Sequence, residues 1–544
     1  MWWVVLLAVP TFVEVTEQAG LRFEYEAGHS ETKYLPETMG AGAALLDVNG
    51  DGWLDIYLVN SGWVKGGKRP PNQLYLGRGG WRFERVDDVG AAAGRAYGMG
   101  VCAGDFDRDG DPDLYLTAYG PDQLLRNDAG AFTDVTESAG IDNPLWSSSC
   151  AFLDYDQDGW LDLFVTNYVD FSVARHKQCK HPETGLVNYC LPGDYDPVPS
   201  VLYRNRGDGR FEDVSRPAGI AEHKGKGLGV AAGDFNSDGA PDILVANDTT
   251  PTHLFLNQKD GSFREDALLA GCAYNYQGRA LGGMGIAPGD IDGDLAEDFL
   301  ITNFAQEPNS LYRRLAPASF DDASEPFQIA QPSFWQLGFG AGLFDVEGDG
   351  DLDLFVTNGH ISDIIERIMK VSELTYAQRP TLMLNQGGRR LEQPAQPPGP
   401  YFASRWVGRG AAFGDLDNDG DVDILVTHNR GRAALLRNDS ARGRHTLVEL
   451  VPGADHRSPL GARVELTIES RTQTRTVRSA YSYLSASDPR LSFGHGAATE
   501  IERLLVIWPD GSSIDYGAAP AGRWLRVRPD RSEIEVRPLA PPSP

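Results

Sequence analysis

Two scarcities exclude most of the function classes open to a chain of 544 residues: it has few cationic side chains for its length, and no long apolar run. Forty-nine Lys and Arg stand against 77 Asp and Glu, a formal net charge of -28. No basic stripe can track a phosphate backbone, so a nucleic-acid partner is not expected. No stretch reaches the roughly 20 apolar residues of a membrane-spanning helix, so no membrane span is expected. A monomer is expected. The apolar opening "MWWVVLLAVP" covers only residues 1–10. It reads as a signal-peptide remnant with an h-region, but without a basic n-region or a small-residue cleavage site. A Ser-His-Asp signature, a phosphate loop and a nucleotide fingerprint are also missing, so no reaction class is indicated and the default reading is a non-enzyme.

Cysteine is sparse, at five residues. Cys102 and Cys150 sit in apolar runs and read as buried free thiols. Cys179 and Cys190 bracket the polar "KHPETGLVNY" and read as a loop-closing disulfide of an oxidising compartment. A zinc site using His176 and His181 is disfavoured, because the ligand spacing matches no standard pattern.

What is abundant is acid, and it is written in one repeated frame. In "DVNGDGWLD", Asp47, Asn49, Asp51 and Asp55 occupy positions 1, 3, 5 and 9 around Gly52. The frame recurs at Asp105, Asp107, Asp109, Asp113; at Asp154, Asp156, Asp158, Asp162; and at Asp234, Asn236, Asp238, Asp242. It returns at Asp345, Glu347, Asp349, Asp353 and at Asp415, Asp417, Asp419, Asp423, while Asp290, Asp292, Asp294, Asp298 keeps the acids but places Leu295 where glycine belongs. Hard oxygen donors at alternate positions, with a glycine for the sharp turn, suit calcium. An EF-hand would need a bidentate Glu at position 12, where this chain has Leu58, Leu116, Val165 and Val245. The flanks "GAALLD" and "LDIYLVN" alternate as strands do, so the unit is strand, carboxylate loop, strand.

The first acids are 58, 49, 80, 56, 55 and 70 residues apart, which leaves each unit about four strands. Downstream hairpins such as "LYRNRGDGRFEDV" supply the outer strands. Paired glycines, such as Gly40 and Gly42 or Gly408 and Gly410, precede the loops and mark a strand face that another backbone approaches closely. The last unit lacks its final strand, whereas "FVEVTEQAGL" stands alone at 12–21 and can complete it. The expected fold is all-β: a seven-bladed β-propeller with calcium-binding loops over residues 11–439, then a small antiparallel β-domain over 440–534 and a disordered tail at 535–544. "HISDIIERIMKVSELTYAQ" at 360–378 has helical spacing and predicts a helix on the sixth blade.

The tandem loops and hairpins resemble FG-GAP/VCBS repeats, the integrin-type propeller unit. "PLGARVEL", "YSYLSASDPRLSFGHG" and "LLVIWPDGSSIDY" resemble the ASPIC/UnbV domain. The combination resembles the cartilage acidic protein family. This implies a secreted or periplasmic protein with several structural calcium ions, acting as a binding scaffold for a protein or glycan partner. The UnbV name, associated with enediyne biosynthesis, implies the alternative of a cyclase-like enzyme of secondary metabolism. Its site would lie at the channel mouth, where Glu37, Tyr97, Trp146, Lys226, Arg279, Trp335, Arg405 and Trp406 gather before the glycine pairs. Asn60, Asn167, Asn247, Asn303 and Asn358, each five residues past a loop's last acid, are expected to bond backbone between blades, and His360 and His428 to be structural.

Overall fold

The computed structural model describes residues 10–440 and 443–541; apart from Pro10, the signal-peptide reading lies outside the described residues. Each carboxylate loop joins two strands whose registers meet at the loop itself, as where Leu46 pairs with Asp55. The second strands are apolar on both faces because both are covered: Asp55–Leu58 and Asp242–Asn247 are buried throughout. The outermost strands alternate, as Ala131–Asp134 does with exposed and half-buried residues in turn, because only one face meets the core.

Among the described residues, seven such units form seven four-stranded antiparallel sheets. Six take their strands in chain order. The seventh combines Gly408–Gly414, Asp423–His428 and Ala434–Asn438 with the N-terminal strand Phe12–Glu14, in register Phe12↔Asn438 and Glu14↔Leu436. First strands touch first strands from one sheet to the next, and Gly408–Gly414 meets Ala43–Leu46, so the array closes on itself. Apolar clusters fill the space between neighbouring sheets, with Leu163, Phe164, Leu202 and Ile243 fully buried in one of them.

Three expectations are corrected here. Cys102 and Cys150 are not free thiols: they form a disulfide, Cα–Cα 5.7 Å, that joins the first strands of the second and third sheets. Cys179 and Cys190 form another, and Cys272 is the buried free thiol among the described residues. Segment 360–378 is not a long helix, since only Ile365–Ile368 is helical. Its Ile361, Ile365 and Leu374 enter an apolar cluster with Trp146 and Phe171, and that docking replaces the stability a helix would draw from its own turns. Residues Glu535–Arg537 are not disordered but add an edge strand to Trp524–Val527, with Val536 opposite Leu525.

Residues from His445 onward build two more four-stranded sheets around a separate core that includes Val448, Leu466, Phe493 and Leu504. Both are antiparallel except that His445–Leu450 runs parallel to Trp524–Val527. These sheets do not swing free. The connector 477–490 leaves them and threads the middle of the ring. Ser482 exchanges backbone hydrogen bonds with Ile286, Ala486 does so with Ala43 and Leu45, and Val101 N–H donates to the Leu484 carbonyl. Leu484 N–H donates to Ser149 Oγ, Tyr483 Oη to the Met39 carbonyl, and Asp488 N–H to the Phe413 carbonyl. The neighbouring sheet and, at some positions, this thread explain the glycine pairs: a Cβ on Gly98 would stand 2.6 Å from the Asn60 carbonyl, one on Gly42 2.2 Å from the Leu484 carbonyl, and one on Gly410 2.5 Å from the Ala41 carbonyl and 2.7 Å from Ser485 Oγ.

Candidate metal centres and the filled channel

Each loop is first organised by its own acids. Asp47 Oδ2 accepts from Gly52 N–H at 2.8 Å and Asp51 Oδ1 from Trp53 N–H at 3.0 Å. The position-nine Asp55 accepts from Val48 N–H at 2.9 Å and from Gly77 N–H, on the third strand, at 2.7 Å. The same pair of bonds recurs at Asp113, Asp162, Asp242, Asp298, Asp353 and Asp423. Position six takes a left-handed conformation, φ 85° at Gly52 and 102° at Gly420. In the fifth loop Leu295 adopts φ 69° and still donates to Asp290 Oδ2 at 3.0 Å, so the turn survives without glycine at a strain of about 1–2 kcal/mol.

Four loops bring three carboxylates within 4.8 Å of one another: Asp105, Asp107 and Asp113; Asp154, Asp156 and Asp162; Asp290, Asp292 and Asp294; Asp415, Asp417 and Asp423. Among the described residues, the acids of the first, fourth and sixth loops are not gathered as tightly. Asp107 Oδ1, Asp154 Oδ1, Asp292 Oδ1 and Asp421 Oδ1 are buried without a hydrogen-bond donor. Unsatisfied buried anionic oxygens are costly. An all-oxygen set of this kind fits a hard divalent cation, and calcium accepts such irregular carboxylate geometry.

The electrostatics agree with that fit. Burial, reinforced by neighbouring acids, pushes Asp105 up to about 6, Asp154 to about 7 and Asp242 to about 8. Asp353, Asp415 and Asp423 rise well above the usual carboxylate range for the same reason. A bound cation supplies the charge that offsets this desolvation.

Neighbouring sheets are tied by asparagines that the sequence reading passed over. Asn127 Nδ2 donates to the Val48 carbonyl, Asn205 to Phe106, Asn257 to Tyr155, Asn385 to Ile291 and Asn438 to Val346; each acceptor is position two of the preceding loop. Arg314 takes this place in the fifth unit and reaches Phe235. Their signal was in plain view as the recurring Asn of "LLRN", "LYRN", "LFLN" and "LMLN". The asparagines expected to do this work tie chain within a sheet unit instead: Asn167 donates to Pro199, Asn247 to Pro251, Asn303 to Pro308 and Asn358 to Arg379. Asn60 Oδ1 accepts from Glu26 N–H.

Of the residues expected at a channel mouth, Tyr97 and Trp146 share one apolar cluster. Tyr97, Trp146, Lys226 and Glu37 are buried, Arg279 and Arg405 are exposed, and Trp335 and Trp406 are half-buried. Tyr97 Oη donates to the Ala27 carbonyl and Lys226 Nζ to that of Pro192, while Trp146 packs against Tyr168, Tyr119 and Phe171. Glu37 accepts from Ser30 Oγ at 2.6 Å and Tyr189 Oη at 3.2 Å, and burial raises its pKa. His428 bonds Tyr401 Oη, and His360 Nδ1 accepts from Ser362 N–H. His176 bonds the Thr32 carbonyl and His181 bonds Thr184, so neither shares a zinc site with the disulfide-bonded cysteines.

Residues 453–534 match the family described as ASPIC and UnbV, and residues 47–116, 105–165, 190–245 and 234–301 match the FG-GAP-like repeat. This is a chain of FG-GAP-like repeats with an ASPIC and UnbV domain. It is homologous to cartilage acidic protein 1, at 26% identity to the Homo sapiens protein over 94% of this chain and 74% of that one, and 26% to the Xenopus tropicalis protein over 92% and 74%. Among solved structures, it is similar to an Agrocybe aegerita lectin described as recognising non-reducing terminal N-acetylglucosamine (14% identity, 74% of this chain and 90% of that chain, TM-score 0.38). It is also similar to the BP39L lectin of Burkholderia pseudomallei (10% identity, 74% and 97%, TM-score 0.46).

The ASPIC/UnbV sheets rest on the sixth and seventh carboxylate loops. Arg490 donates to the Asp415 carbonyl and Asn418 Oδ1, both at 2.7 Å, and pairs with Asp488 at 2.8 Å. Ser492 Oγ donates to the Gly420 carbonyl, and Arg471 bonds the Gly350 carbonyl and Asp351. At the opposite end, the fully buried Arg409 lies over the Phe339 ring at 4.1 Å and donates to the carbonyls of Thr38 and Gly359. It stands between Gly408 and Gly410, where the other units place Ala41, Met99, Ser148, Leu228, Met284 and Phe339. A charged residue in that otherwise uncharged series was the available signal.

Proposed function

We propose that residues 11–439 are a calcium-stapled seven-bladed β-propeller and residues 440–534 its ASPIC/UnbV β-domain. The assembly serves as an extracellular or periplasmic scaffold that binds a protein or glycan partner. The single observation that carries the calcium reading is the set of buried, donorless carboxylate oxygens repeated around the ring. Two disulfides support an oxidising compartment. A channel packed by Tyr483, Leu484 and Arg409 directs binding to the outer surface and away from the enzymatic alternative at the glycine-pair end. Calcium acts as folding energy by linkage. Its chemistry is to neutralise the loop acids, while the chain's own residues position the strands. Calorimetric titration of chelator-treated protein should show six or seven calcium sites with a large rise in melting temperature. One tight ion with little effect on melting would overturn the reading.

A further inference from the structure

A cavity of about 630 Å³ lies between the loop-bearing face of the ring and the ASPIC/UnbV sheets. That is the size of ordinary small-molecule sites. Its wall is apolar along Phe152, Phe344, Phe413 and Leu460. Two of its polar side chains are more than nine-tenths buried and have no hydrogen-bond partner: Trp508 Nε1 (residue 5% exposed) and Thr474 Oγ1 (7%). Arg463 pairs with Thr476 on one side and Ile507 on the other, which brings Thr474 and Trp508 to the same end of one sheet.

The charges on this wall are unevenly matched. Glu297 is paired with Arg478 at 2.8 Å and Asp488 with Arg490. Asp154, Asp234, Asp290 and Asp415 belong to the carboxylate loops and are neutralised when those hold calcium, so this inference rests on the reading above. Two guanidiniums on the wall form no ion pair among the described residues: Arg314 bonds the carbonyls of Asp234 and Phe235, while Arg475 bonds the Thr474 carbonyl and Gln473 Oε1, lies over the Phe493 ring at 5.3 Å and is turned towards the loop acids Asp345 and Asp290. Trp N–H and guanidinium can only donate, and a Thr hydroxyl can. Once calcium neutralises the loop acids, the wall therefore offers unused donors and the Arg475 charge beside an apolar surface.

We propose that this cavity binds an amphipathic carboxylic acid, with Thr474, Trp508 and Arg475 serving the carboxylate and the aromatic wall its apolar body. Leu295 then has a reason to replace glycine, because its side chain forms part of the wall. The probe is naproxen, a fluorescent arylpropionate that stays soluble with calcium, with its uncharged amide as control. Calcium content is measured in the same samples. Saturable one-to-one binding is expected, weakened about tenfold by each of Thr474→Val, Trp508→Phe and Arg475→Met, and as strongly for the amide. Leu295→Phe, which narrows the cavity without touching a donor, should also weaken it, and unchanged melting of the variants excludes misfolding. Protein that holds no calcium overturns both readings. Calcium-loaded protein that fails to bind naproxen, binds the amide equally, or is indifferent to all four substitutions overturns this one alone.

Discussion

In four of the seven carboxylate loops the first two ligand positions are partly open, and in the last two they are buried beneath the ASPIC/UnbV sheets, although all are written in one frame. In the first four, the position-one and position-three side chains, such as Asp47 and Asn49 or Asp105 and Asp107, are only half-buried. In the sixth, Asp345, Glu347 and Asp353 are buried, and in the seventh Asp415, Asp417 and Asp423 are buried too. Water can share the charge of a partly open loop. Under a protein layer only a cation and the covering arginines Arg471, Arg475 and Arg490 can do so, so the same local sequence becomes more dependent on its metal.

The largest expected effect is removal of the metal. Chelation near pH 8 should lower the melting temperature by more than about 10 °C, and release should be biphasic, fast from the open loops and slow from the covered ones. Release in one phase, followed by a fluorescent chelator, would erase the comparison. Next is Arg490→Ala, which strips the partner from Asp488, itself 7% exposed, and should cost about 3–5 kcal/mol in denaturant unfolding while merging the slow phase into the fast one. A loss confined to a few tenths would mean that the covering sheets bind loosely.

The pH response should be smaller and opposite in the two metal states. Asp105, Asp154 and Asp242 have folded pKa values of about 6, 7 and 8, raised above an unfolded value near 4. Metal-free protein therefore binds more protons folded than unfolded between about pH 8 and pH 4, and its melting temperature should rise on acidification through that window. With saturating calcium the trend should reverse, because protons compete for the same oxygens. Parallel trends would show that these acids do not hold the metal. The smallest effect is Leu295→Gly, which relieves the left-handed strain but removes buried surface, for a net change within about 1 kcal/mol in melting experiments. A larger loss would show that Leu295 matters chiefly as cavity wall.

What was legible in the sequence was local. Short apolar runs rich in β-branched and aromatic residues marked strands such as Asp55–Leu58, and carboxylates at period two with a glycine marked the loops, because both patterns are set over a few residues. Cys102 and Cys150 lie 48 residues apart and meet only because the first strands of two sheets run side by side. Apolar spacing in 360–378 was read as a helix because periodicity reports which residues want burial and not which backbone will bury them. The inter-sheet asparagines were missed because a recurring Asn after an apolar strand is equally a turn residue.

The sequence by itself determined the repeated unit, its carboxylate frame and the displaced N-terminal strand, all through short-range patterning. Only the tertiary structure decided that connector 477–490 fills the ring, that the last two loops are covered, and that a cavity opens between the two sets of sheets. Each of these depends on contacts between residues hundreds of positions apart, such as Leu45 with Ala486. Those contacts exist only once the ring has closed and offers its first strands as hydrogen-bonding edges to a chain passing through its middle.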